Sequence, residues 1–169
     1  MKKMILAAMV LIVVSCQEQQ KIGYVDNVKL MEDYQEKIDI EAKYKLKNET
    51  WTKKKDSITQ AFRMEAQAYQ VKYPNPNSRK AQEEGAVLQQ KSQFIGQQLQ
   101  QEEQALLLAG QTEMDSVVSK VKNEIKAYGE TNKYTYILGG GDGGSVLYGQ
   151  DVNDLTEEVV KLLNDKYKQ

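Results

Sequence analysis

From Asn27 to Val71 the chain runs 45 residues without a proline or a glycine. The composition there is Lys, Glu, Gln, Ala and Asp with sparse apolar residues, which no fold of short strands and tight turns can absorb. The stretch predicts one helix of about 40 residues, roughly 60 Å long at 1.5 Å per residue. Near its base Met31, Tyr34 and Ile38 keep 3-4 spacing, and further out Trp51, Ile58, Phe62 and Tyr69 keep 7-4-7 spacing. Between Lys45 and Asp56 the apolar stripe almost disappears.

Both prolines of the chain fall in Tyr73-Pro74-Asn75-Pro76-Asn77-Ser78. Each disfavours helical angles in the residue before it, and Asn77 or Ser78 can cap whatever follows. A second polar stretch then runs from about Arg79 to Tyr128, roughly 75 Å if helical throughout. Leu107, Met114, Val121 and Tyr128 repeat every seven residues, as do Gln111, Val118 and Ile125, the a/d pattern of a coiled coil. Beyond that Val87 and Phe94 are the clearest pair, and Gly85, Gly96 and Gly110 loosen the outer half. Two long helices around a proline turn make a hairpin.

The β candidates lie at the two ends. Lys21-Ile22-Gly23-Tyr24-Val25-Asp26 alternates, and such a short strand needs partners from elsewhere. Tyr134 to Leu138 and Ser145 to Tyr148, around the glycine loop 139–144, read as a β-hairpin. Asp154-Leu155-Thr156-Glu157 offers an N-cap for a last helix whose apolar face is Leu155, Val159, Leu162 and Leu163. One sheet with the last helix packed on it is expected. The fold class is therefore α+β, mainly α: a long antiparallel helical coiled-coil hairpin projecting from a small β-rich head.

Lys2 and Lys3 precede an apolar run from Met4 to Val14, too short for a membrane-spanning helix and of the length of a signal-peptide core. The tetrad Val13-Val14-Ser15-Cys16 resembles the lipobox of bacterial lipoproteins, in which the cysteine is lipidated and becomes the first mature residue. Cleavage before Cys16 removes Lys2 and Lys3, leaving 21 of the 23 basic residues against 24 acidic ones. That balance does not point to nucleic acid.

The chain has no histidine and its only cysteine is Cys16, so Ser-His-Asp or Cys-His catalysis and His- or Cys-ligated zinc lack their residues. Gly139, Gly141 and Gly144 match G-x-G-x-x-G, but a strand-like segment follows where a phosphate site needs a helix. Asp142, Asp151 and Asp154 lack the alternate spacing of a calcium loop. No catalytic, cofactor or metal site is expected. Lys53-Lys54-Lys55 reads as a solvated face or as part of a contact surface. Tyr69 and Tyr73, four apart beside the turn, read as hairpin packing or as exposed aromatics for adaptable contact.

This order of segments resembles the OmpH/Skp family of periplasmic chaperones. Lys21 to Asp26 looks like its opening strand, and Val146-Leu147-Tyr148 with Asp154-Leu155-Thr156-Glu157-Glu158-Val159-Val160 like its closing strand and helix. The resemblance implies homotrimers whose hairpins surround a cavity for unfolded outer-membrane proteins, held without ATP. Two features depart from the well-known members, which are basic and soluble: this chain is mildly acidic and carries a lipobox. With Gln17 to Gln20 as a leash of at most roughly 14 Å, the head is expected beside the membrane, on the periplasmic side of the envelope, the outer membrane favoured over the inner.

The expected organisation is a leader at residues 1–15 and one domain at 16–169. Its head comprises 21–27 and 131–169, its hairpin 28–130 and its tip about 73–78. Candidate client-binding residues are Phe62, Tyr69, Lys72, Tyr73, Arg79 and Lys80, with Cys16 for lipidation. The rival function is a structural or adaptor lipoprotein whose hairpin docks on one specific envelope partner.

Overall fold

The computed structural model describes residues 20–168. The leader and Cys16 lie outside the described residues. The elements are β1 (Ile22–Asp26), α1 (Asn27–Asp33), α2 (Gln35–Lys72), α3 (Arg79–Thr131), β2 (Tyr136–Gly140), a 3-10 turn (Asp151–Asn153) and α4 (Thr156–Tyr167). Residues up to Tyr34 and from Val121 onward form one compact unit, and Gln35–Lys120 form the other.

In the first unit β1 and β2 pair in parallel, Ile22 opposite Tyr136 through Asp26 opposite Gly140. The Gly23 and Val25 face of β1 is buried. Val25 packs in a core with Leu30, Tyr34, Val121, Leu155, Val159 and Leu163. Asp26 ends the strand and starts α1, since its Oδ1 accepts from the backbone N–H groups of Val28 and Lys29 at 2.9 and 3.0 Å. Leu155 N–H donates to Tyr24 O at 2.8 Å, and the buried Thr156 hydroxyl accepts from Asp26 N–H at 2.9 Å. The start of α4 is thereby bonded to β1. Asp154 is the expected capping carboxylate, accepting from Thr156 N–H at 2.9 Å.

The expected β-hairpin across the glycine loop does not form. The ladder bonds of β2 go to β1, and Ser145 to Tyr148 meets the sheet through the isolated bridge Gly140 to Val146, where the Ser145 and Val146 N–H groups donate to Gly139 O at 2.8 and 3.2 Å. Gly141 and Gly143 hold φ of 82° and 77°, left-handed angles that turn the chain away before a second strand can pair. Leu147 is left 99% exposed.

The single first helix is also corrected. Tyr34 adopts extended angles, φ −79° and ψ 114°, and separates α1 from α2. Its ring is buried and meets Tyr167 edge-on at 6.4 Å, so tertiary packing overrides a helical propensity that the sequence shows no reason to interrupt. The break resets the helical phase. Ile38, in step with Tyr34 by sequence, turns outward, and Ile40 and Tyr44 take the inner positions.

In the second unit α2 and the α3 residues up to Lys120 form an antiparallel helical hairpin. Trp51, Ile58, Phe62 and Tyr69 lie on its half-buried seam as their spacing predicts. Ser78 Oγ accepts from Ala81 N–H at 3.2 Å and opens α3 after the proline turn. On α3 the seven-residue register holds only in part: Met114, Val118 and Ile125 are half-buried and Val121 is buried, while Leu107 and Gln111 face solvent. Val87 and Phe94 are both 65% exposed. The residues turned inward there are Leu88, Ile95, Leu99 and Leu106, a spacing of seven, four and seven.

Candidate functional site

The hairpin is the large surface this chain presents, and its two lateral sides are built differently. One side carries five ion pairs between the helices: Glu36 with Lys120, Lys43 with Glu113, Lys54 with Glu102, Glu65 with Lys91 and Lys72 with Glu84, at 2.5 to 2.9 Å. Along α2 the partners step by 7, 11, 11 and 7 residues, and along α3 by the same numbers in reverse. On a straight helix a step of seven falls about 20° short of two turns and a step of eleven overshoots three turns by about 20°, so two of each cancel and the rungs stay on one side. The charges therefore fix one antiparallel register along the whole hairpin.

Two tyrosines on α2 close the seam against glycines on α3. The Tyr44 ring lies where a side chain on Gly110 would stand, 3.1 Å from its Cβ position, and its hydroxyl donates to Glu113 Oε1 at 2.8 Å. Tyr69 does the same at Gly85 and donates to Ala81 O at 2.9 Å. Lys43, and then the Tyr44 hydroxyl, hold the Glu113 carboxyl below the ordinary glutamate range. Lys72 and then Tyr73 do so for Glu84, and Lys54 for Glu102.

The other side carries one longer pair, Lys55 with Glu103 at 3.8 Å, and is otherwise open. There a groove of about 780 Å³ is lined by Ile40, Tyr44, Asn48 and Thr52 of α2 and by Gly110 and Met114 of α3. At 100° per residue Asn48 and Thr52 lie roughly 120–180° round α2 from Lys43 and Lys54. This is the stretch where the apolar stripe fades, and the fading leaves a gap in the seam.

Of the candidate client-binding residues, Tyr69, Lys72 and Tyr73 are brought together at the tip, with their polar groups bonded to the facing helix. The Tyr69 and Tyr73 rings lie 5.5 Å apart, tilted by 50°, Tyr73 Oη donates to Glu84 at 2.7 Å, and Lys72 reaches both Glu84 oxygens at 3.0 and 2.9 Å. Phe62 is half-buried in the seam. Arg79 pairs with Glu83 on its own helix, and Lys80 faces solvent. Sequence reasoning missed the Tyr44, Gly110 and Glu113 cluster and the ladder. The recurrence of charge at Lys43, Lys54 and Glu65 was the available signal.

Gly139, Gly141 and Gly144 are followed by no helix terminus. Among the described residues no cluster of three acidic, His or Cys side chains is arranged to hold a metal, and no helix is long and apolar enough to cross a membrane.

A family model described as Outer membrane protein (OmpH-like) matches residues 21–163. The chain belongs to the OmpH-like family. Four solved chains match this OmpH-like protein in structure. One is the crystal structure of a candidate outer membrane chaperone (OmpH-like) from Caulobacter crescentus CB15. It is similar with a TM-score of 0.75 at 15% identity, over 89% of this chain and 88% of that one. That likeness establishes the shared fold. No curated protein matches the sequence. The OmpH-like match begins at the residue before β1 and ends in α4, so it spans the sheet, the hairpin and most of the last helix.

Proposed function

We propose that this OmpH-like protein is an ATP-independent holdase chaperone. It binds unfolded envelope or outer-membrane proteins between the helical hairpins of a homotrimer and performs no chemistry of its own. The observation that carries the reading is the hairpin itself: two long polar helices whose seam buries little and whose open side exposes an apolar groove. A chain that only had to span distance needs no such side, whereas a holdase works by many weak contacts to the unfolded state of its client.

Assembly runs through the head. Leu147, Tyr148, Val152 and Tyr136 are exposed on a unit with only two strands, and further copies provide the cover that this small unit lacks. Cys16 carries the lipid and holds the protein at the periplasmic face of the outer membrane, with residues 16–169 as the mature domain. Phe62, Tyr69, Lys72, Tyr73, Arg79 and Lys80 contribute contacts at the outer end of the hairpin once a client competes for the tip bonds.

The test is suppression of aggregation of two unrelated unfolded outer-membrane proteins by the purified protein. Protection of both is expected, together with a trimeric mass. Replacing residues 45–115 with a short linker should keep the oligomer and lose protection. Binding of a single folded partner with no protection of either client would overturn the reading in favour of an adaptor. For the anchor, the Cys16→Ser protein should leave the membrane fraction. Stable retention would count against lipidation.

A further inference from the structure

The open side of the hairpin carries a pattern that neither helix uses internally. Glu41, Lys45, Glu49 and Lys53 stand at successive four-residue steps on α2, beside the groove whose floor is Ile40, Tyr44, Gly110 and Met114. Such a stripe commonly supports its own helix through pairs four apart. Here that role is filled only at one end, where Lys37 meets Glu41 at 2.8 Å. Among the described residues Lys45, Glu49 and Lys53 make no ion pair, although every rung on the opposite side is closed.

Read from either end, the stripe is its own complement. Reversing Glu-Lys-Glu-Lys gives Lys-Glu-Lys-Glu, so an antiparallel second copy sets Glu41 against Lys53 and Lys45 against Glu49, each twice. Residues four apart form a continuous ridge on a helix surface, and the commonest helix packing runs two such ridges side by side at about −50°. The same register brings Leu46, 65% exposed, opposite Asn48 of the other copy at the lip of the groove.

We propose that a second copy of this chain docks on the open side of the hairpin, two-fold and antiparallel, through the ridge Glu41, Lys45, Glu49 and Lys53. Self-complementarity is what a two-fold interface requires, because one patch must serve both partners. A ridge of four residues buries less than the roughly 1,200–2,000 Å² of a stable dimer, so the contact is weak for a single pair of hairpins. It gains strength where several hairpins act together, a point that rests on the trimer proposed above. The contact would join one assembly to the next and close the groove to clients while it lasts.

Sedimentation velocity of the full protein over a concentration series tests this. The mass at the lowest concentration reports assembly through the head, and a further increase with concentration, weakened by salt, reports the ridge. Lys45→Glu and Glu49→Lys should each weaken that further step by about tenfold or more, because both central pairs become like-charged. They should leave the low-concentration mass and the helical circular dichroism unchanged. Mixed one to one, the two single variants should regain it, since both central pairs then join a glutamate of one variant to a lysine of the other across the interface. The double swap in one chain should regain it as well. No further step at any concentration, or single reversals without effect, overturns the proposal. So does a mixture that fails to recover, and so do reversals that change client protection while leaving self-association alone, which would assign the ridge to clients.

Discussion

Around the two strands, seven apolar side chains are withdrawn from water: Val25, Leu30, Tyr34, Val121, Leu155, Val159 and Leu163. Along the hairpin, a longer piece of chain, only Tyr44, Ala81 and Val117 are, and five cross-helix ion pairs line one side. The first unit is held by burial, which is large per residue and indifferent to salt. The second takes its register from exposed charges, each of small effect and all screened by salt. A surface that must stay open to partners cannot also be a filled core, so the hairpin relies on many weak terms that leave one side free.

The largest effect should come from the core of the first unit. Leu163→Ala removes a side chain at 1% exposure and should cost about 2–5 kcal/mol in denaturant unfolding. Val121→Asp, which puts a carboxylate into an apolar site, should cost about 2–4 kcal/mol, whereas Leu107→Asp, on the same seven-residue repeat but facing solvent, should stay within about 0.5 kcal/mol. Equal losses at Val121 and Leu107 would restore the heptad as the organising pattern and break the comparison.

Acid should act on the hairpin next. Glu84, Glu102 and Glu113 are held below the ordinary value of 4.5 by their lysine partners, so their folded values lie below the unfolded ones. Their contribution is fully present above the unfolded value and is lost as pH falls through the folded ones. Thermal unfolding followed at 222 nm should therefore move to lower temperature as the pH falls through and below the ordinary glutamate value of 4.5. At neutral pH, high salt should speed hydrogen exchange along α2 and leave the β1 amides unchanged. Parallel responses in the two regions would mean that the ladder does not distinguish them.

Smaller effects test the tyrosine contacts. Tyr69→Phe takes the donor from Ala81 O and should cost about 0.5–1.5 kcal/mol. Gly96 has open space where a Cβ would stand, so Gly96→Ala should gain about 0.5–1 kcal/mol from helix propensity. Gly110→Ala should gain less or lose stability, because the Tyr44 ring must move. Identical gains at the two glycines would show that Tyr44 does not pack as described.

Much of this fold was legible in the chain. The proline-free runs, the Pro74 to Ser78 turn and the end of the second helix near Gly129 all follow from local propensity, which acts wherever the chain goes. So does the Trp51, Ile58, Phe62 and Tyr69 spacing. The candidate surface was less legible. Tyr69, Lys72 and Tyr73 do sit together at the tip, yet their partners Glu84 and Ala81 lie on the other helix, and a periodic pattern on one helix does not name its partner on another. The groove arises where apolar residues are missing, and an absence in one helix becomes a cavity only when a second helix lies across it.

By itself the sequence determined that there would be two long helices, a proline turn between them and short strands at the ends, because helix propensity and turn chemistry are properties of neighbouring residues. Tertiary structure decided which strands pair, since the ladder bonds of β2 could go to Ser145–Tyr148 or to β1 and only packing chose β1. It also decided the break at Tyr34, where burying one ring outweighs a turn of helix. The register of the hairpin belongs to both: the charges at seven- and eleven-residue steps are written in the chain, but they select a register only once the two helices are antiparallel, because an ion pair forms within a few ångströms and propensity carries no information about distance.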